Sequence, residues 1–437
     1  MVKYTEQTQH TWLPAAKPDT KLVFRVVKAT GSHLHLDNGM QIYDAISSWW
    51  CKPLGHCHPL IAESLNATLP IMEHHIPANL YNDTIENLSA KLLKPFKKMD
   101  KVMYASDGSS AVEMAMKLSY ESRLLNGQPE RSQFIALNNA YHGETIFTLS
   151  ICGIDEYKSA YTPFIFPNNH FIQNIPYVSS RNDPRWHDYT INNDTSSLSA
   201  ANLEEYIATI APHVTALIIE PIVQGAAGLK IISRDFLIKL INIAKQYGIH
   251  IISDEIMVGL GRIGHINVTT EILQIEPDFV CIAKNLTAGS IPMSAIIINN
   301  SISDLFRHAD KIFPHSHTHS CNILAATVAN SYLDLLYKDN SFLSNVIGCE
   351  NHLNQIFTDL AQQYDFITNV RAIGGIAACD LELKPATLDG IFLLGIQNGI
   401  YLRPIGKTLY LMPPLYNLAN DIAEIKSKIT RVIAAVS

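Results

Sequence analysis

Ile249-His250-Ile251-Ile252-Ser253-Asp254-Glu255 and Asp278-Phe279-Val280-Cys281-Ile282-Ala283-Lys284 are two short apolar runs, each closed by an ionisable side chain, with the acid and the amine thirty residues apart. Runs of this length, rich in β-branched residues and bounded by turn signals, suit parallel strands buried on both faces. Open sheets of such strands collect ligands beyond their carboxyl ends, so Asp254 and Lys284 are expected at one edge of one sheet. Taken alone, the pair could equally form a structural salt bridge.

Working outward, Ala216-Leu217-Ile218-Ile219-Glu220 reads as the strand before them, and 235–247 as the helix between. Ser233 is placed to cap that helix, and Phe236, Leu237, Leu240, Ile243, Ala244 and Tyr247 share one face. Gly248 stands where a helix ends in a left-handed residue. Strand–helix–strand repetition predicts an α/β fold whose mostly parallel sheet carries helices on both faces. Residues 22–46 alternate like strands around Asp37-Asn38-Gly39, a hairpin signal, and 185–200 reads as a polar surface loop. The expected organisation is a large domain over 60–325, with 1–59 and 326–437 together forming a smaller α+β domain.

The bulk properties narrow the class. A chain of 437 residues exceeds one simple core. With 47% hydrophobic and 17% charged residues, it has the composition of a soluble globular protein. A net charge of −7, with no long basic run, argues against nucleic acid as a partner. The opening Met1-Val2-Lys3-Tyr4-Thr5-Glu6 lacks a signal-peptide core, and no apolar stretch is long enough for a bilayer. Seven scattered cysteines without a CxxC pair read as reduced thiols, and hence a cytoplasmic setting.

Further motifs fall at the ends of predicted strands. Asp107-Gly108-Ser109-Ser110 follows the strand 101–105 and opens a helix, where backbone N–H groups attract phosphate. Ala140-Tyr141-His142-Gly143-Glu144 follows 134–137 and offers an aromatic ring for stacking. Glu220 closes its strand at the same edge, either as an acid behind the site or as a capping carboxylate. Gly259-Leu260-Gly261-Arg262-Ile263-Gly264 matches GxGxxG, but the next strand ends in Lys284 rather than an acid, against a dinucleotide site. His315-Ser316-His317-Thr318-His319 and His56-Cys57-His58 suggest metal ligands without a matching carboxylate or cysteine cluster. Ser47-Ser48-Trp49-Trp50 could wall a long apolar substrate, and Arg403, expected in a short strand, could grip a carboxylate with both guanidinium nitrogens. An acid and an amine beside a phosphate-binding helix are what pyridoxal phosphate needs: the amine forms a Schiff base with its aldehyde, and the acid keeps the pyridine nitrogen protonated.

As an ordered set, Gly108-Ser109-Ser110, Tyr141-His142-Gly143, Asp254-Glu255 and Lys284 resemble the class III, fold-type-I aminotransferases over nearly the whole chain. Ser47-Ser48-Trp49-Trp50, 222–226 and Arg403-Pro404-Ile405-Gly406-Lys407 are similar to the branch that aminates a keto-amino acid in biotin synthesis. The resemblance implies pyridoxal phosphate, with Lys284, Asp254 and Tyr141 as the catalytic set. Gly108, Ser109, Tyr141, Asp254, Lys284 and Thr318 would hold the cofactor, and Trp49, Tyr141, Glu144 and Arg403 the keto-amino acid. It also implies a homodimer with shared active sites, Thr318 reaching the partner's cofactor, and S-adenosylmethionine as amino donor. Ala15 stands where many relatives carry a tyrosine, which leaves lysine or another ω-amine open as the donor and ω-amino acids or diamines as substrates. Retention of both Lys284 and Asp254 argues against an inert relative.

Overall fold

Both quoted runs fold as adjacent parallel strands, with Asp254 opposite Cys281. They belong to a seven-stranded sheet in the computed structural model, which describes residues 10–18, 24–191, 200–338 and 340–436. The opening residues 1–9 and much of the 185–200 loop lie outside the described residues. In chain order the sheet comprises β1 (Met99–Ala105), β2 (Gln133–Leu137), β3 (His170–Ile172), β4 (Val214–Ile219), β5 (His250–Asp254), β6 (Phe279–Ile282) and β7 (Ser294–Asn299). Across the sheet they run β1-β7-β6-β5-β4-β2-β3. β7 is antiparallel to both neighbours, and the remaining pairs are parallel.

Alternate residues serve opposite cores. Phe279 and Cys281 pack with the helix Gly108–Leu125, while Val280 and Ile282 enter the core on the other face. Full burial on both faces is why these strands read as continuous apolar runs rather than alternating ones. The helix of the β4–β5 unit spans Arg234–Gln246, its first turn capped by Ser233 Oγ accepting from Phe236 N, and Gly248 takes φ +66°.

Gly108–Leu125 lies across β1, β7, β6, β5 and β4, so the crossover from β1 to β2 passes over four strands. That long jump brings the helix N-terminus to the middle of the sheet's carboxyl edge. β6 stops at Ile282, leaving Lys284 in the following turn rather than in the strand. The turn closes through Leu286 N on the Ala283 carbonyl, because the chain must reverse into antiparallel β7.

The strands Val26–Thr30, His33–Leu36 and Gln41–Asp44 form a meander, with Gly39 at φ +84° in its expected turn. Gln41–Asp44 also pairs in parallel with Ile400–Tyr401, so both chain ends share a sheet. Arg403 follows that two-residue strand instead of lying in it, since Pro404 cannot donate to a ladder. A second antiparallel sheet contains Ile367–Ile373, Ile376–Leu381 and Thr408–Leu411.

Ser47, Ser48, Trp49 and Trp50 all take left-handed backbone angles, with φ of +49°, +46°, +71° and +74°. Each such L-residue costs roughly 1–2 kcal/mol, so the surroundings must impose the turn. Ser47 Oγ donates to the Met412 carbonyl (2.7 Å), and Ser48 N and Oγ both donate to the Asp44 carboxylate (3.0 and 2.8 Å). Trp50 Nε1 donates to Tyr410 Oη (3.0 Å). Fully buried Arg262, from the GxGxxG-like segment, braces the same region through the Pro413 carbonyl (2.7 Å).

Candidate active site

A cavity of about 380 Å³ opens where the carboxyl ends of β1, β2, β4, β5 and β6 meet. Gly108, Ser109, Tyr141, Asp254 and Lys284 all line it.

Lys284 is half-buried, and among the described residues its amine has no hydrogen-bond or ion-pair partner. Its Nζ lies 5.3 Å from the centre of the Trp50 ring. Burial lowers its pKa against the opposing charges of Asp254, Glu220 and Cys51. The neutral amine, which is the nucleophilic and basic form, is thereby favoured.

Asp254 is fixed from behind. Its Oδ2 accepts from His142 Nδ1 at 2.8 Å and its Oδ1 from Ile256 N at 3.2 Å. His142 is buried, and its Nε2 has no partner. The histidine thus holds the carboxylate at a set angle, the arrangement by which an ionisable partner is oriented for work on a ligand.

Glu220 bolts two loops together. Oε2 accepts from Tyr141 N (3.0 Å) and Oε1 from Gly225 N (2.9 Å), so the capping role is the one it performs. Burial pushes its pKa up to about 7, with His142 and the two N–H groups opposing and Asp254 reinforcing. Tyr141, so anchored, donates its hydroxyl to Glu144 Oε1 (2.8 Å), while its ring lines the cavity. Burial and Glu144 hold the phenol's pKa well above its ordinary value.

At the opposite end, Asp107 caps the Gly108 helix by accepting from Ser110 N at 2.9 Å. The Gly108 and Ser109 amides have no acceptor among the described residues, and both residues line the cavity. A Cβ at Gly108 would come 2.9 Å from Ile256 Cδ1, so a larger residue there would have to displace the tip of that isoleucine. At Gly143, φ is +130° and a side chain would collide with Ser109 Oγ.

Four predicted residues, Trp49, Glu144, Thr318 and Arg403, lie outside the lining. Trp49 is 46% exposed, with the Arg403 guanidinium 4.6 Å above its ring, and Arg403 Nη2 donates to the Ala15 carbonyl at 3.3 Å. Thr318 is exposed, and its carbonyl accepts from His74 Nε2 (3.0 Å). Trp50, rather than Trp49, faces Lys284. His142 sat unweighted inside a quoted motif, and its position directly after Tyr141 was its only sequence signal. Buried Glu255 accepts from Val268 N and Thr269 N (2.7 and 2.9 Å), fixing the turn after β5. His56 pairs with Asp44 (2.9 Å), and among the described residues no group of three metal-ligating side chains occurs.

Comparison with known proteins places this geometry. The chain is 33% identical over 420 residues to the adenosylmethionine-8-amino-7-oxononanoate aminotransferase of Helicobacter pylori, covering 93% of this chain and 92% of that one. It is 32% identical over 434 residues to the enzyme of the same name from Synechococcus elongatus, covering 97% and 98%. An amine transaminase from an uncultivated Pseudomonas species, solved in its PLP-bound form, superposes with a TM-score of 0.89 at 25% identity, over 99% of this chain and 100% of that one. The Methanocaldococcus jannaschii adenosylmethionine-8-amino-7-oxononanoate aminotransferase gives 0.86 at 24% identity, over 98% and 97%. The model of the class-III aminotransferases matches residues 15–433, and the chain belongs to that family.

Proposed function

We propose that the protein is a pyridoxal-phosphate-dependent aminotransferase that converts 8-amino-7-oxononanoate to 7,8-diaminononanoate in biotin synthesis, with S-adenosylmethionine as amino donor. The observation that carries the reading is the unpartnered amine of Lys284 in one cavity with the braced Asp254 carboxylate. Two relatives above 30% identity, matched over almost their full length, bear the name of that reaction.

The residues present fit the cofactor. Two unclaimed helix N–H groups suit its phosphate, a carboxylate suits its ring nitrogen, and a free amine suits its aldehyde. When bound, pyridoxal phosphate supplies that aldehyde and a ring able to take up the electrons released at the substrate carbon. Gly108 and Ser109 hold the phosphate through their amides. Asp254 keeps a proton on the ring nitrogen, and His142 keeps Asp254 facing it. Tyr141 covers the ring, held by Glu220 behind and Glu144 at its hydroxyl. Lys284, its pKa lowered by desolvation, takes the proton from the substrate carbon and returns it on the other side of the transfer. Trp50 shields that amine from water.

Trp49, Glu144 and Arg403 bind the keto-amino acid, with Arg403 on its distant carboxylate. Arg403→Ala is expected to raise KM for 8-amino-7-oxononanoate about tenfold or more with kcat within a few-fold. An unchanged kcat/KM would make Arg403 structural.

A homodimer completes the site. Ile71 and Tyr81 are 80% and 72% exposed and Ile312 is 83% exposed, and the His74–Thr318 hydrogen bond ties the first segment to the loop carrying Thr318. Exposed apolar residues grouped this way suit a second copy, which would bring Thr318 to the partner's cofactor. Ile71→Asp combined with Ile312→Asp is expected to give monomers in sedimentation and to weaken cofactor retention. A dimer of unchanged affinity would remove this assignment. The composition and charge support a cytoplasmic setting.

The functional test is a half-reaction screen on the cofactor-loaded protein. S-adenosylmethionine is expected to bleach the cofactor's visible absorbance, and 8-amino-7-oxononanoate to restore it. Bleaching by lysine or an ω-amine alone would move the enzyme to another donor, and no bleaching by any amine would end the aminotransferase reading.

A further inference from the structure

We propose that Lys117, His315, His317 and Ser106 form a one-directional hydrogen-bond chain whose terminal hydroxyl donates to the cofactor phosphate. The inference rests on the pyridoxal phosphate reading above and adds a binding device outside the helix amides. Lys117 Nζ lies 3.0 Å from His315 Nδ1, His315 Nε2 lies 3.2 Å from His317 Nε2, and His317 Nδ1 lies 3.1 Å from Ser106 Oγ. Ser106 lines the cavity two residues before Gly108.

The direction of every bond follows from the first. An ammonium has donors only, so Lys117 makes Nδ1 of His315 the acceptor. A neutral His315 then carries its proton on Nε2 and donates it to His317 Nε2. His317 in turn carries its proton on Nδ1 and donates to Ser106 Oγ. The serine hydrogen has no other acceptor among the described residues and is left to point at an anion in the cavity. Burial and the Lys117 charge keep His315 neutral, with Glu113 opposing, as the chain requires. Phe313 stacks on His315 at 8° and lies under Lys117, which fixes both ends of the first link. The positive charge of Lys117, nine residues along the helix, is thereby expressed as a fixed dipole at the phosphate end.

Two measurements test this. Nitrogen-15 spectra of histidine-labelled protein are expected to show His317 protonated on Nδ1 and His315 on Nε2, and the opposite tautomers would overturn the proposal. Dissociation constants of the full chain, stripped of cofactor, would be compared for pyridoxal phosphate and for pyridoxal, which lacks the phosphate. Ser106→Ala and His317→Phe are expected to weaken pyridoxal phosphate about tenfold and leave pyridoxal unchanged. His317→Asn, which keeps a donor near the Nδ1 position, is expected to recover most of the loss. Lys117→Met is expected to show a smaller, few-fold loss. Equal weakening of both ligands, or no weakening of either, would reduce the chain to a structural contact. Failure of the unaltered protein to bind pyridoxal phosphate would instead strike the functional reading itself.

Discussion

Lys284→Ala is expected to lower kcat for transamination by about four orders of magnitude or more, the largest effect of any single substitution in this protein. Lys284 sits alone in its role. It occupies the turn just beyond β6, half-buried, with no hydrogen-bonding partner among the described residues and a pKa pulled down by desolvation. Asp254 and Glu220 are acids committed to His142 and to backbone amides, so neither stands in as a base. Truncation leaves a small space beside Trp50 and removes no structural bond, so the variant is expected to melt within a few degrees of the parent. Single-turnover mixing with S-adenosylmethionine reads the loss directly, and a small primary amine added to solution is expected to restore part of the rate. A variant within tenfold of the parent would sink the assignment of Lys284.

The second large effect is expected from Asp254→Asn, a fall in kcat of about two to three orders of magnitude with KM changed by only a few-fold. The amide oxygen still accepts from Ile256 N, and its NH2 group can donate to His142 Nδ1 once the imidazole carries its proton on the unpartnered Nε2, so the local geometry is expected to survive. The negative charge does not. A ring nitrogen facing an amide loses its proton, and the electron sink weakens with it. A further consequence falls on Lys284, whose pKa Asp254 holds up against burial. Removing the charge lowers that pKa again, so the alkaline side of the amine's protonation profile is expected to move to lower pH. Full activity in this variant would mean that the ring needs no acid. Activity lost together with a large drop in thermal stability would show that Asp254 serves the fold.

These residues were legible in the sequence to different depths, and the reason is physical. Asp254, Lys284 and Gly108 follow short segments whose periodicity is local, so strand, helix and cap could be read without knowing the neighbours. The unit from β4 through Ser233, the helix and Gly248 to β5 is of that kind. What the local pattern cannot carry is order across the sheet. That β7 enters antiparallel between β1 and β6 depends on pairings between residues nearly two hundred positions apart. His142 as the support of Asp254 is likewise a contact across 112 residues. Which tryptophan faces Lys284 was hidden for a different reason. The backbone of Ser47-Ser48-Trp49-Trp50 is left-handed without a glycine to announce it, and the turn aims Trp50 rather than Trp49 at Lys284. Thr318 shows the remaining limit, since a single chain leaves it at the surface.

The left-handed turn also bears on how this protein can be improved in the laboratory. Four consecutive residues held in a conformation that glycine adopts freely form a reservoir that a selection for heat resistance can tap. Glycine or asparagine at Ser48 or Trp49 relieves the steric cost, and such replacements are expected to accumulate among thermostable clones. The same clones would lose the Ser48 clamp on Asp44 or the indole under Arg403. Heat resistance and the integrity of the Asp44 and Arg403 contacts are therefore coupled at this corner, and a campaign for stability should begin its mutations elsewhere.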